Sequence, residues 1–454
     1  MSDTASADGT QAAPLGETAV ADTGGTAPTT GAERIASLDI VRGVAVLGIL
    51  ILNSVVMGLS YSFAINPGFF GPPESGDYWA WFISSLLFEG TFRAIFGMLF
   101  GAGVYLFMSR VEARFGPGRA RGLHLRRSGW LIVLGLVDTY ILLWYGDILF
   151  LYGVMGLVLW LFRRLSVRAL VIWAVVFAAI SALLSLGNGY QTEVGLGELA
   201  AYEARVESGE TPSAEDTLAY EGLREAMAFA MPSPEGIASQ AESVRGSYSG
   251  AAAAYWAIAV MMQTVYLGFF GFWDSAITML LGMALFKTGF LKGAASTRGY
   301  MTALLVGYGV AVPLRLWHLG DYAASDFDMV VFTWNSVWYD VERIAMAFGH
   351  LGLLFLLIRS GRLPLTRALA ATGRMALTNY LMQSVIGLAV FVGLGGYLAV
   401  SRVDILAGMV AVWAFQLWFS LFWLARYRFG PAEWLWRSLT YWRVQPLRRQ
   451  TLQT

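Results

Sequence analysis

The chain has 454 residues, 57% of them hydrophobic and only 14% charged, with a formal net charge of +0 and no cysteine. A soluble domain carries about 45–50% apolar and about 25% charged residues, so these fractions, with a mean hydropathy of +0.57, exclude an ordinary water-soluble globule. The lack of cysteine excludes disulfides, thiolate nucleophiles and thiolate-held metals.

Residues 1–33 are rich in Ala, Thr and Gly and have no basic segment followed by an apolar one, which predicts a disordered cytoplasmic tail rather than a signal peptide. Ten apolar stretches follow, beginning near Leu38, Thr91, Ser128, Gly146, Val167, Leu267, Gly299, Val337, Met375 and Val403. A hydrocarbon core about 30 Å thick needs about 20 apolar helical residues. The expected fold is therefore an all-α integral membrane bundle of about ten transmembrane helices over residues 34–426. The run from Asp77 to Phe88 is too short to span and reads as interfacial or re-entrant. Residues 187–249 form a hydrophilic insertion whose helix formers and prolines predict a small helical cap, with an interfacial helix over Ala251–Tyr266 beneath it. Residues 427–454 alternate tryptophan with arginine and read as an amphipathic interfacial segment.

Arginine and lysine gather in every second gap: Arg110 to Arg127, Arg163 to Arg168, Lys287 to Arg298, Arg359 to Arg374, and Arg426 onward. Short basic loops stay on the cytoplasmic side, so both termini are expected there and the acidic insertion outside. The expected location is the cytoplasmic membrane, with membrane lipids as partners and no nucleic acid.

Ionisable groups inside apolar spans must face protein or water, which makes them candidates for chemistry. Asp138 lies near the middle of the third span and His350 near the middle of the eighth. Glu89 and Arg93 open the second span and Asp147 the fourth, and they are candidates to bind substrate. His350 is the candidate general base: His124 lies in a basic loop, His318 lies at the outer edge, and an imidazole titrates near neutrality. Asp138 is the reserve. The structural alternative makes these groups interhelical ion pairs, Glu89 with Arg93 for example. Three widely spaced histidines give no metal-ligand spacing, so no metal is expected. Gly97, Gly101 and Gly103 lack a following Lys-Ser or Lys-Thr and read as a helix-packing face. Arg42 and Arg374 stand where basic loops meet the inner surface, and their guanidinium forks suit phosphate. The alternative there is that Asp39 and Arg42 cap the first helix and anchor it to lipid.

The first span opens with Leu38, Asp39, Arg42, Gly43, Ala45, Leu47, Gly48 and Asn53. Later strings are Glu89-Gly90-Thr91-Phe92-Arg93, Gly146-Asp147-Ile148-Leu149, Gly373-Arg374-Met375-Ala376-Leu377-Thr378-Asn379-Tyr380, and Gly430-Pro431-Ala432-Glu433-Trp434-Leu435-Trp436-Arg437. In this order they resemble the YeiB-like family of bacterial membrane proteins, domain of unknown function 418. That family is in turn similar to multi-span acyltransferases, including O-antigen acyltransferases and heparan-alpha-glucosaminide N-acetyltransferases. The resemblance implies acyl-CoA as donor, with Arg42 matching the acyltransferases' first-span arginine. On the residues' own placement, Arg42 and Arg374 are the expected donor site, and a cell-envelope glycan or lipid-linked acceptor is expected among Asn53, Glu89, Arg93, Asp147 and Asn379. In the O-antigen type a histidine follows the first-span arginine, and here Asn53 takes its place. An amide orients a substrate but takes no proton at neutral pH. The reading is an acyltransferase-like membrane protein; the alternatives are a transporter or flippase of a small amphiphile, or a non-enzymatic scaffold.

Overall fold

The computed structural model describes residues 36–59, 61–70 and 75–449. The tail expected over residues 1–33 lies outside them. The helices in chain order are α1 (Ala36–Leu59), α2 (Tyr61–Ile65), α3 (Gly76–Phe88), α4 (Thr91–Phe115), α5 (Pro117–Tyr140), α6 (Leu149–Leu159), α7 (Val167–Glu207), α8 (Ala214–Met227), α9 (Pro234–Gly246), α10 (Tyr248–Met261), α11 (Phe272–Lys287), α12 (Thr297–Ala324), α13 (Met329–Asn335), α14 (Tyr339–Arg359), α15 (Thr366–Arg374), α16 (Ala376–Gly387), α17 (Arg402–Arg426) and α18 (Pro431–Tyr441). The protein is an all-α membrane bundle, and among the described residues eight helical segments are long and apolar enough to cross a bilayer.

Each expected window falls on a helix, but the third and fourth differ from the rest. The charges in the first half of α5 and the brevity of α6 leave both short of the combined length and apolarity of the other spans, and the two pack as an antiparallel hairpin. A Cβ on Gly135 would come within 2.2 Å of Phe150 N, and one on Gly153 within 2.7 Å of Ile132 N, so glycine sets this close approach. The short apolar run forms α3, capped by Ser75. Gly90 ends the turn after it with φ 63°, where a Cβ would also meet the Tyr339 hydroxyl at 2.2 Å.

The insertion begins inside a helix rather than after one. α7 runs 41 residues, about 60 Å at 1.5 Å per residue, so its second half extends beyond the hydrocarbon thickness. There Gly195 packs on Leu223 and Met227 of α8, Tyr202 stacks on Tyr220, and Trp334 of α13 donates to Glu193. The expected interfacial helix is continuous with the following span: α10, a π-helical stretch Met262–Gly271 and α11 form one 40-residue rod.

Small residues set the other helix crossings. Gly101 and Gly282 let α4 and α11 touch, since a Cβ on either would lie about 2 Å from the other helix's backbone: 2.0 Å from Met279 O and 1.9 Å from Met98 O. Gly307 and Gly352 do the same between α12 and α14. Without a hydrophobic drive between helices in lipid, such backbone approach is the main source of packing energy.

The basic gaps meet at one end of the bundle. Glu112 accepts from Arg163 and Arg164, Lys287 donates to the carbonyl of Arg163 at 3.0 Å, Arg359 to that of Ala295 at 2.9 Å, and Arg126 to that of Thr440 at 3.3 Å.

Candidate functional site

At the basic end, α1 and α15 cross almost backbone to backbone. A Cβ on Gly43 would lie 2.0 Å from Leu369 O, and one on Gly373 would lie 1.8 Å from Asp39 O. The neighbours of these two glycines are Arg42 and Arg374, so the crossing places both arginines at the foot of α1. Arg42 is half-buried and paired with Asp39 at 2.9 Å. Arg127 of α5 lies within electrostatic reach of Arg42 and of Arg437 on α18. Arg127 stacks over Trp436 at 4.4 Å and Arg437 over Phe429 at 4.8 Å. Sequence reading singled out Arg42 and Arg374; Arg127 and Arg437 join them only through the fold. Close like charges on half-buried side chains suit an anion that bridges them.

α18 is held there by Glu433 rather than by its tryptophans alone. The Glu433 carboxylate accepts from the N–H groups of Leu377 at 2.7 Å and Thr378 at 3.1 Å, and from the Thr378 hydroxyl at 2.6 Å, satisfying donors that the start of α16 leaves open. Burial pushes this carboxyl above its ordinary range, against the pull of those hydrogen bonds.

Deeper in, Asp138 on α5 faces Asp147 at the start of α6 and Ser384 on α16. Asp147 accepts from the N–H groups of Leu149 at 3.0 Å and Phe150 at 2.7 Å, and from the Tyr380 hydroxyl at 3.4 Å. A small, partly open pocket adjoins Ser384, lined also by Met57, Trp144, Tyr145, Tyr255 and Phe391.

A third cluster joins α4, α11 and α14. Arg93 donates to Asp274 at 3.1 Å and to the hydroxyls of Tyr339 at 2.6 Å and Tyr266 at 3.3 Å. Arg343, wholly buried, pairs with Asp274 at 3.3 Å and with Asp340 at 2.5 Å. Arg315 donates to the carbonyls of Leu86 at 2.9 Å and Glu89 at 2.5 Å, while His318 and Arg315 both meet Glu342. Glu89 is exposed and lies within electrostatic reach of Arg93, Arg315 and Tyr339, but the ion pair that Arg93 makes is with Asp274.

The remaining candidates stand apart. His350 sits in an aromatic slot: its Nδ1 meets Met346 O at 3.1 Å and the Tyr308 hydroxyl at 3.3 Å, and Phe88 and Phe92 present ring edges. None of these neighbours belongs to the Asp138 cluster. Asn379 is fully buried in an amide ladder with Thr372, Ser420 and Gln416, which ties α16 to α17. Asn53 is half-buried on α1, four residues before Met57 of the pocket lining. Among the described residues no three His, Asp or Glu side chains gather as metal ligands would.

Comparison with known proteins gives one family. A family model described as "Protein of unknown function (DUF418)" matches residues 285–443. The chain is 33% identical over 421 residues to the uncharacterized protein YeiB of Escherichia coli (strain K12), covering 90% of this chain and 96% of that one. It is 28% identical over 441 residues to the uncharacterized protein YxaH of Bacillus subtilis (strain 168), covering 93% and 98%. An uncharacterized 39.9 kDa protein in the amylase 3' region of Bacillus acidopullulyticus is 37% identical over 107 residues, covering 22% of this chain and 29% of that one. No solved structure matches.

Proposed function

We propose that this chain, which belongs to the DUF418 family of YeiB-like membrane proteins, is an acyltransferase of the bacterial cytoplasmic membrane. Its donor is a phosphate-bearing activated acyl group, acyl-CoA in chemical class, entering from the cytoplasm. Its acceptor is a cell-envelope glycan or lipid-linked molecule.

The observation that supports this most is the gathering of Arg42, Arg127 and Arg437 at the foot of α1, where the α1–α15 crossing also brings the backbone of Arg374. Guanidinium forks grip phosphate oxygens in a geometry that lysine does not reproduce. A donor held there directs its flexible arm along α1, on which Asn53 lies about 16 Å further in at 1.5 Å per residue. Of the two groups considered for proton transfer, Asp138 stands beside Ser384, which lines a pocket, whereas His350 is engaged by its own helix and Tyr308. Asp138 is therefore the better candidate.

One observation favours a transporter instead: buried ionisable groups in two separate clusters, the Asp138 pair and the Arg93 cluster, are what a polar pathway requires. Titration calorimetry of the purified protein with a series of acyl-CoA compounds separates the readings. The acyl-transfer reading predicts binding that Arg42→Ala and Arg374→Ala each weaken at least tenfold. A wild-type protein that binds none of them removes the donor assignment.

A further inference from the structure

Asp138 is 0% exposed, and neither of its carboxyl oxygens has a well-formed hydrogen-bond partner among the described residues. The Ser384 hydroxyl stands beside it, also buried, and it too has no well-formed hydrogen bond among the described residues. Asp147 stands opposite, just before α6, its Oδ2 only 2.5 Å from where a Cβ on Gly135 would lie, one turn before Asp138 on α5.

The fold treats the two carboxyls differently. Asp147 takes two backbone N–H groups at a helix start and the Tyr380 hydroxyl, and each of these favours the charged form. Asp138 has none of these and only the Ser384 hydroxyl beside it. An isolated carboxylate withdrawn from water is far costlier than a neutral acid, and a second negative charge beside Asp147 raises that cost. The other polar groups facing the pair are Tyr380 and Ser384 of α16, and no lysine or arginine among the described residues pairs with either carboxyl. Two acids placed so unequally divide their roles, one ionised and one protonated.

We infer that this pair is a proton-binding site in which neutral Asp138 holds one proton and shares it with ionised Asp147. Ser384 borders both Asp138 and the adjoining pocket, and a hydroxyl both donates and accepts, so it links the stored proton to whatever molecule occupies the pocket. The inference does not rest on acyl transfer, because a transporter would use the same proton for coupling.

Infrared difference spectroscopy of the purified full chain, in ordinary and heavy water at neutral pH, tests it. The wild type is expected to show the carbonyl stretch of a protonated, water-shielded carboxyl. Asp138→Asn, isosteric with the neutral acid, should fold and lose that band. Asp147→Asn should keep the band but shift it, because the proton no longer faces a charged neighbour. A band that survives unchanged in Asp138→Asn overturns the inference. Should that variant fail to fold, Asp147→Asn carries the test alone, and an unshifted band there is equally contrary.

Discussion

Arg343 has no solvent exposure and answers two acids at once, Asp274 on another helix and Asp340 one turn before it. Removing one partner of a buried ion pair strands the other charge and costs about 3–5 kcal/mol. Arg343→Ala should therefore lower the apparent melting temperature in detergent sharply, while a substitution at exposed Glu89 should not; an unchanged melting curve for Arg343→Ala would show the cluster to be dispensable. The same cluster marks where sequence reading stops. Glu89 and Arg93 have the four-residue spacing of a helical pair, yet Glu89 falls in the turn before α4, so the helical geometry that would join them is absent. Arg93 turns instead to Asp274, 181 residues away. Asp138 and Asp147 were each legible as acids in apolar surroundings. Their pairing was not, because it depends on how the turn at residues 141–148 folds the α5–α6 hairpin.

Two glycines decide whether the basic end of α1 exists as a site. An alanine at Gly43 or Gly373 would have to push α1 and α15 apart, moving Arg42 and Arg374, with an overpacking cost of about 1–3 kcal/mol. Gly373→Ala should therefore weaken acyl-CoA binding in calorimetry even though no charge is lost. Gly103→Ala on α4 meets nothing within 4 Å and should leave binding unchanged, so equal effects from both would detach the crossing from the site. The packing role read from the glycines of the second span holds for Gly97 and Gly101, which press on α11; Gly103 faces open space. α18 was legible as an amphipathic helix from its tryptophans and arginines. Its tie to α16 was not: Glu433 reads as one acid among aromatics until the unfilled N–H groups of Leu377 and Thr378 come beside it.

Across the whole molecule, the arginine distribution was the most legible signal, because charge placement in loops follows from membrane insertion rather than from side-chain packing. The segments it groups together do touch, through Glu112 with Arg163 and Arg164, Lys287 with the Arg163 carbonyl, and Arg359 with the Ala295 carbonyl. A cysteine placed at position 119 of this cysteine-free chain should resist an impermeant thiol reagent in intact cells, and one at position 210 should react. Labelling at position 119 would reverse the orientation and put the arginines on the wrong side for a cytoplasmic donor. The number of full crossings was less legible, since α5 carries many charges and α6 is short, so eight of the ten apolar windows lie on helical segments that are both long and apolar enough to cross. The central claim is that a donor gripped at the foot of α1 acylates an envelope molecule. Mass spectrometry of envelope glycans and lipids from a strain lacking the protein, complemented with wild type or with the Arg42→Ala, Arg374→Ala double variant at matched protein level, tests it directly. The account predicts an acyl mass increment that appears with wild type and falls at least tenfold with the double variant; an increment independent of the protein, or undiminished in the double variant, would contradict it.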